Sequence, residues 1–411
     1  MTLTDRLHGK LAETQRALIL GVGGGNDSVT ALLLREQLRQ TDGFTPDRLD
    51  IAAMMPDFLE YRCYDPDPCH ERVWRMRPES ERWFQGTRVA GFPEPLLAAA
   101  ADRFHLDTVY GIDMRAGAEG VYQALHRLIA ANAYDLVLAC DIGGDFIAAP
   151  ENVEVLSPMM DAYALHALRR LDLPDTPTRF VYAVFGLGTD GESSPEMLRR
   201  ALDNVGDYEA RRFDADIAPD FERFYRDEVE PNRYSRTADF TLREIRAADP
   251  HADIENYRVR LHTRPTPERR RAYTGAFTHR FDPEHYGRYY LFDRLSGIRN
   301  PFCVACTNAE EWFVQVSSAA DRVHHELVGQ TVRDTDGRTV NFATTSRKFP
   351  EPDREKILRD TLSALRTGVY DAAYIYPSDA LASPTPLGDD ITATPTPIGT
   401  LLRLTLAAPS L

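Results

Sequence analysis

Five short apolar runs, Ala17–Leu20, Leu49–Met55, Leu106–Ile112, Tyr134–Cys140 and Arg179–Phe185, recur through the first half of the chain, and each runs into glycine or aspartate. The segments between them carry apolar residues at helical spacing. Buried strands that alternate with helices pair naturally in parallel, because each helix returns the chain to the end of the sheet where the previous strand began. In such sheets ligands bind beyond the carboxyl ends of the strands. Gly23 to Asp27, Asp57, Gly111 to Asp113, Asp141 to Asp145 and Gly186 to Asp190 would then share one working edge. Glycine and aspartate also serve ordinary turns, so each acid has a structural alternative.

Helices are expected over Asp5–Gln15, from Val29 to the polar turn Thr41-Asp42-Gly43, and over Glu94–Phe104 and Glu119–Asn132. Two more open at a cap followed by proline: Ser157-Pro158, running to Leu171, and Ser194-Pro195, running to Asn204. Tyr61–Pro95, rich in proline, aromatics and charge, reads as a long irregular connection across the sheet edge. The fold expected for residues 1–204 is therefore α/β, a Rossmann-like three-layer sandwich on a mostly parallel sheet. Beyond Val205 the pattern loosens into a less regular α+β part over 205–380. There Phe302–Cys306 and Ala372–Tyr376 read as strands, and Ala309–Leu327 and Asp353–Thr367 as helices. Residues 381–411, with repeated Thr-Pro, read as an exposed tail.

Composition excludes some partners. Across 411 residues the formal net charge is −15, so nucleic acid and anionic membrane surfaces would be repelled over most of the surface. Five cysteines in so long a chain make no disulfide framework. The opening lacks the apolar core of a signal peptide, and no apolar stretch approaches the ~18 residues of a membrane span, so a cytoplasmic protein with a small-molecule substrate is expected. Assembly into a homo-oligomer is left open.

The first strand runs into Gly21-Val22-Gly23-Gly24-Gly25-Asn26-Asp27-Ser28 and then a helix. A strand, tight loop and helix place several backbone N–H groups and a helix amino terminus at one point, which suits phosphate. Gly21 and Gly23 fit the dinucleotide fingerprint, with Asn26 at its third glycine. Gly23 to Ser28 also resembles the pyrophosphate-binding loop of the N-type ATP pyrophosphatases, Ser-Gly-Gly-x-Asp-Ser, with Gly23 where that pattern has its serine. That resemblance implies adenylation of a small substrate by ATP.

A second landmark is Leu136-Val137-Leu138-Ala139-Cys140-Asp141-Ile142-Gly143-Gly144-Asp145, followed by Ser157-Pro158-Met159-Met160-Asp161. With the triple-glycine loop upstream, these segments resemble the prokaryotic family known as domain of unknown function 1152. Its members carry a glycine-rich loop ending in aspartate, a Val-Asp-x-Gly-Gly-Asp segment and a Ser-Pro-Leu-x-Asp segment. The resemblance implies a shared fold and working loops over the first 200 residues or so, and supplies no substrate.

The candidate site follows. Gly23, Gly24, Gly25, Asn26, Ser28, Gly143 and Gly144 would bind a cofactor, ATP or another nucleotide. Asp27, Asp141 and Asp145 would be catalytic; Asp27, Asp141, Asp145 and Asp161, if they converge, could hold Mg2+, which takes carboxylates together with phosphate oxygens, and Asp141 and Asp145 are the pair put first. Asp113, Asp161 and Asp190 would meet the substrate. Cys303 and Cys306 have the spacing of half a zinc site that Cys63, Cys69 and His70 could complete, although Phe302–Cys306 also reads as a buried strand. The expected activity is a nucleotide-dependent enzyme that adenylates or phosphorylates a small molecule. Its alternatives are a hydrolase or transferase acting on a nucleoside or sugar phosphate without ATP, and a non-catalytic nucleotide-binding protein.

Overall fold

The computed structural model describes residues 2–246 apart from 24–25, 56–59, 85–86, 90–92, 115–116, 150–158, 190–192, 218 and 232–235. It also describes residues 282–300, the strand segments 328–333, 339–345, 372–375, 391–395 and 400–404, and residues 362, 366, 388 and 390.

The five apolar runs all become strands. In chain order the main elements are α1 (Leu3–Ala12), β1 (Arg16–Gly21), α2 (Asn26–Asp42), β2 (Arg48–Met55), then five short strands, β3 (Glu60–Arg62), β4 (Asp65–Pro66), β5 (Val73–Arg75), β6 (Glu81–Phe84) and β7 (Thr87–Val89). These are followed by α3 (Pro93–Ala99), β8 (Thr108–Asp113), α4 (Gly117–Asn132), β9 (Leu136–Ile142), α5 (Met159–Leu171), β10 (Arg179–Phe185), α6 (Pro195–Val205), β11 (Glu209–Arg212), α7 (Pro219–Phe224), α8 (Arg236–Ile245) and β12 (Arg288–Phe292).

Nine of these strands form one mixed sheet in the order β11-β12-β10-β9-β1-β2-β8-β5-β4. The five central strands, β10 to β8, are mutually parallel, whereas β12 and β5 join the two sides antiparallel. Both faces are covered, which is why the parallel strands are apolar throughout rather than alternating. Leu18, Leu20, Val137, Ala139, Tyr182 and Val184 belong to one buried cluster with residues of α4, α5 and α6. Ala17, Ile19, Leu138, Cys140, Val181 and Ala183 belong to a second, with residues of α1, α2, α3, α7 and α8. Mixed α/β architecture with a large, mostly parallel sheet and flanking helices is thus observed.

Several boundaries and segments differ from expectation. α1 begins earlier, because Thr2 and Asp5 form a reciprocal capping box, and it stops at Ala12 rather than Gln15. The stretch Tyr61–Pro95 is no loose connection. β5 pairs with β8 and β4 with β5, extending the sheet, while β3, β6 and β7 form a small sheet of their own. The sheet also crosses the boundary placed at residue 204, since β11 and β12 complete its other side.

A separate five-stranded sheet is ordered β13 (Val328–Arg333), β14 (Thr339–Thr345), β15 (Ala372–Ile375), β17 (Thr400–Leu404) and β16 (Ile391–Pro395). β16 and β17 lie in the stretch read as an exposed tail, where alternating threonine and apolar residues support a hairpin. β15 bears out the strand expected at Ala372–Tyr376, whereas Phe302–Cys306 and Ala309–Leu327 lie outside the described residues. Among the described residues no helix is long and apolar enough to cross a membrane.

Candidate functional site

The chain leaves β1 for β2 and β8 on one side, then returns to lay β9 and β10 on the other. Helices that follow β1 and β9 therefore leave toward opposite faces, and the carboxyl ends of these two neighbours form the switch point at which such sheets have their binding crevice. Three acids converge there. Asp27 is the second residue of α2, Asp141 is the penultimate residue of β9, and Asp161 lies in the first turn of α5. All three are buried, and one carboxylate oxygen from each lies within 4.8 Å of the others. Among the described residues this is the single group of His, Cys, Asp and Glu side chains arranged to hold a metal ion.

Gly23 is what lets the acids meet. Its N–H donates to Asp27 Oδ2 at 2.8 Å. A Cβ at this position would stand 2.5 Å from that same oxygen and 3.2 Å from both oxygens of Asp161. The glycine found where the pyrophosphatase pattern has serine is therefore a steric requirement of this crevice. Its amide is engaged with Asp27 within the protein, which differs from the phosphate contact expected of it. Ser28 is buried in the first turn of α2, and Asn26 is half-buried at its start, whereas Gly24 and Gly25 lie outside the described residues.

Like charges this close repel, and a low-polarity surrounding magnifies the effect. Cys140, one residue before Asp141, feels the same field: burial, with the charges of Asp27 and Asp141, pushes its thiol well above the ordinary range. A thiol so held stays protonated and is a poor nucleophile.

The loop after β9 shapes the crevice wall. Gly143 and Gly144 have φ of 129° and 121°, a region open to glycine, and a Cβ on Gly144 would stand 2.8 Å from Leu198 on α6. Gly143 donates to the Phe185 carbonyl at 3.2 Å and accepts from Gly188 at 2.8 Å, which ties this loop to the one after β10. The Phe146 N–H then turns back and donates to Asp141 Oδ2 at 3.3 Å.

Of the four acids that could hold Mg2+, the sequence puts Asp141 and Asp145 first, and three of the four converge. Asp145 is buried but does not join the carboxylate group; its place is taken by Asp27 and Asp161. Asp27 and Asp161 lie in the first turns of α2 and α5, whereas Asp145 lies in the loop after β9. Asp113, at the end of β8, lies 3.8 Å from Arg72 and outside the carboxylate group. Asp190 lies outside the described residues, as do Asp57, Cys303 and Cys306. Of the other zinc candidates, Cys63 is exposed, and Cys69 is pushed up to about 12 by burial and by its bond to Asp67. Neither they nor His70 enter any metal-competent group among the described residues.

Two contributors carry no sequence signal. The Phe146 amide is backbone, and Asn300 sits in Gly297-Ile298-Arg299-Asn300, a run that matches no motif.

Residues 60–229 match a family model described as protein of unknown function (DUF1152). The matched segment spans β3 through β11 and includes Asp141, Asp145 and Asp161, so the resemblance read from the later loops is supported there. Neither curated proteins nor solved structures give a match.

Proposed function

We propose that this chain is a nucleotide-dependent enzyme that adenylates or phosphorylates a small molecule at the carboxyl edge of a Rossmann-like domain. The observation that carries the reading is the convergence of Asp27, Asp141 and Asp161 between β1 and β9. The parallel strands run in the order third, second, first, fourth, fifth, which supports the Rossmann-like description. Mg2+ fits the donor set, because three carboxylates offer hard oxygen ligands and leave positions for phosphate oxygens and water. Bound there, it would neutralise charge on a phosphate group.

The chain's own residues then divide the work. Asp27, Asp141 and Asp161 hold the cation. The amino terminus of α2 would donate N–H groups to the phosphates, and the Ser28 hydroxyl would add a donor. A divalent cation held by the three carboxylates would offset their repulsion of a phosphate group.

Thermal unfolding in EDTA, in Mg2+ and in ATP with Mg2+ tests this. Mg2+ at a hundredfold excess over its Kd is expected to stabilise by about 2.7 kcal/mol, with a further rise on adding ATP. Asp161→Asn removes one carboxylate of the group while keeping its shape. The variant should lose most of the Mg2+ effect. Exchange of labelled pyrophosphate into ATP across a panel of acids then separates adenylation from phosphorylation. Stabilisation by nucleoside or sugar phosphates with none from ATP would overturn the ATP-dependent reading, and no response to Mg2+ or any nucleotide would overturn the enzyme reading as a whole.

A further inference from the structure

We propose that Asn300 is a positioning residue for the Asp141 carboxylate, reaching across 155 positions of sequence to Asp145 in the loop that follows β9. The Asn300 side chain is fully buried. Its Nδ2 donates to the Asp145 carbonyl at 2.8 Å and to the Phe146 carbonyl at 3.2 Å. Between those two carbonyls sits the Phe146 N–H, the group that donates to Asp141 Oδ2. Asn300 thus clamps the peptide whose amide orients the carboxylate. This rests on the reading that Asp27, Asp141 and Asp161 hold a divalent cation.

The clamp acts beyond the bonds that tie Gly143 to Phe185 and Gly188, on the far side of Gly144, whose φ of 121° is open to glycine. Asn300 is itself well anchored. Leu295 and Ile298 are buried in the cluster beneath α4, α5 and α6, and Arg169 on α5 donates to the Ile298 carbonyl at 2.6 Å. At the start of the same segment, Asp293 accepts from Arg6 and Lys10 on α1. α5 carries both Asp161 and Arg169, so one helix places a cation ligand directly and supports a second through Asn300.

Outer partners that orient metal ligands typically change metal affinity 10- to 100-fold when removed. The test measures Mn2+ binding to the full chain by titration calorimetry, with melting in EDTA measured in parallel. Asn300→Ala is expected to weaken Mn2+ at least tenfold. Asn300→Leu, which keeps the volume and lacks the donor, is expected to do the same and serves if the alanine variant does not fold. Tyr134→Phe is the comparator: it removes a buried hydrogen bond to Asp50 at the opposite end of the sheet and should leave Mn2+ affinity within twofold. In the unmodified chain, Mn2+ should slow amide hydrogen exchange in residues 143–149.

An affinity within twofold for both Asn300 variants would overturn the proposal while leaving the cation reading intact. Equal weakening by Tyr134→Phe would also overturn it, because the effect would then be general loosening. No Mn2+ binding by the parent chain would remove the cation reading and the proposal together.

Discussion

Single residues in this protein carry unusual electrostatic burdens, and Glu244 shows how one can be measured. It lies on α8, almost completely buried, and burial holds its carboxyl well above the usual carboxylate range, with the Gly287 amide pulling weakly the other way. The folded state therefore keeps this proton over a pH range in which the unfolded chain has released it. Stability is fully present below the unfolded pKa near 4.5 and falls as pH rises toward the folded value. Glu244→Gln removes the titrating group while keeping its shape. The difference in melting temperature between variant and parent should widen in the variant's favour from pH 5 to pH 8 and shrink to little at pH 4. A constant difference across that range would show that Glu244 is not held neutral.

At the scale of elements, each side of the crevice is made by a strand that ends and a helix that begins. β1 hands over to α2 through the glycine loop, and β9 hands over to α5 through residues 143–158, of which 143–149 are described. The second handover depends on Gly144, whose backbone lies in a region that other residues rarely adopt and whose missing side chain makes room for Leu198. Gly144→Ala combines backbone strain with a contact of 2.8 Å and should cost about 1–3 kcal/mol in denaturant unfolding. Because the change lies between Asp141 and Phe146, it should also weaken Mn2+ binding. A loss of stability with unchanged cation affinity would mean that α6 yields instead of the loop.

On the scale of the whole molecule, the main sheet draws on residues far apart in the chain. β12 pairs with β10 and buries Tyr289, Tyr290, Leu291 and Phe292. At ~1.5–3 kcal/mol for each large side chain, that strand contributes an amount comparable to the 5–15 kcal/mol by which a typical domain is stable. A chain ending at residue 246 is accordingly expected to lack the cooperative thermal transition of the full chain by circular dichroism. An unchanged transition would show that residues 1–246 fold without β12.

Amino-acid order by itself determined the parallel strands, the helices between them and the edge where their polar ends gather. Apolar spacing, glycine loops and Ser-Pro caps are local signals, and buried parallel strands read as uninterrupted apolar runs. The short strands of Tyr61–Pro95 and the hairpin near the end gave weaker signals, because strands of two to five residues depend on the partner they meet. Only the tertiary structure decided which acids form the site. Asp27, Asp141 and Asp161 stand on three different elements, and no spacing rule links them. Sequence offers Asp27, Asp141, Asp145 and Asp161 as acids that could converge, whereas which of them do so is set by the order of strands in the sheet and the direction in which two helices leave it. Asn300 belongs wholly to that second kind of information, since a side chain that reaches across the fold to hold two carbonyls leaves no pattern in the residues around it.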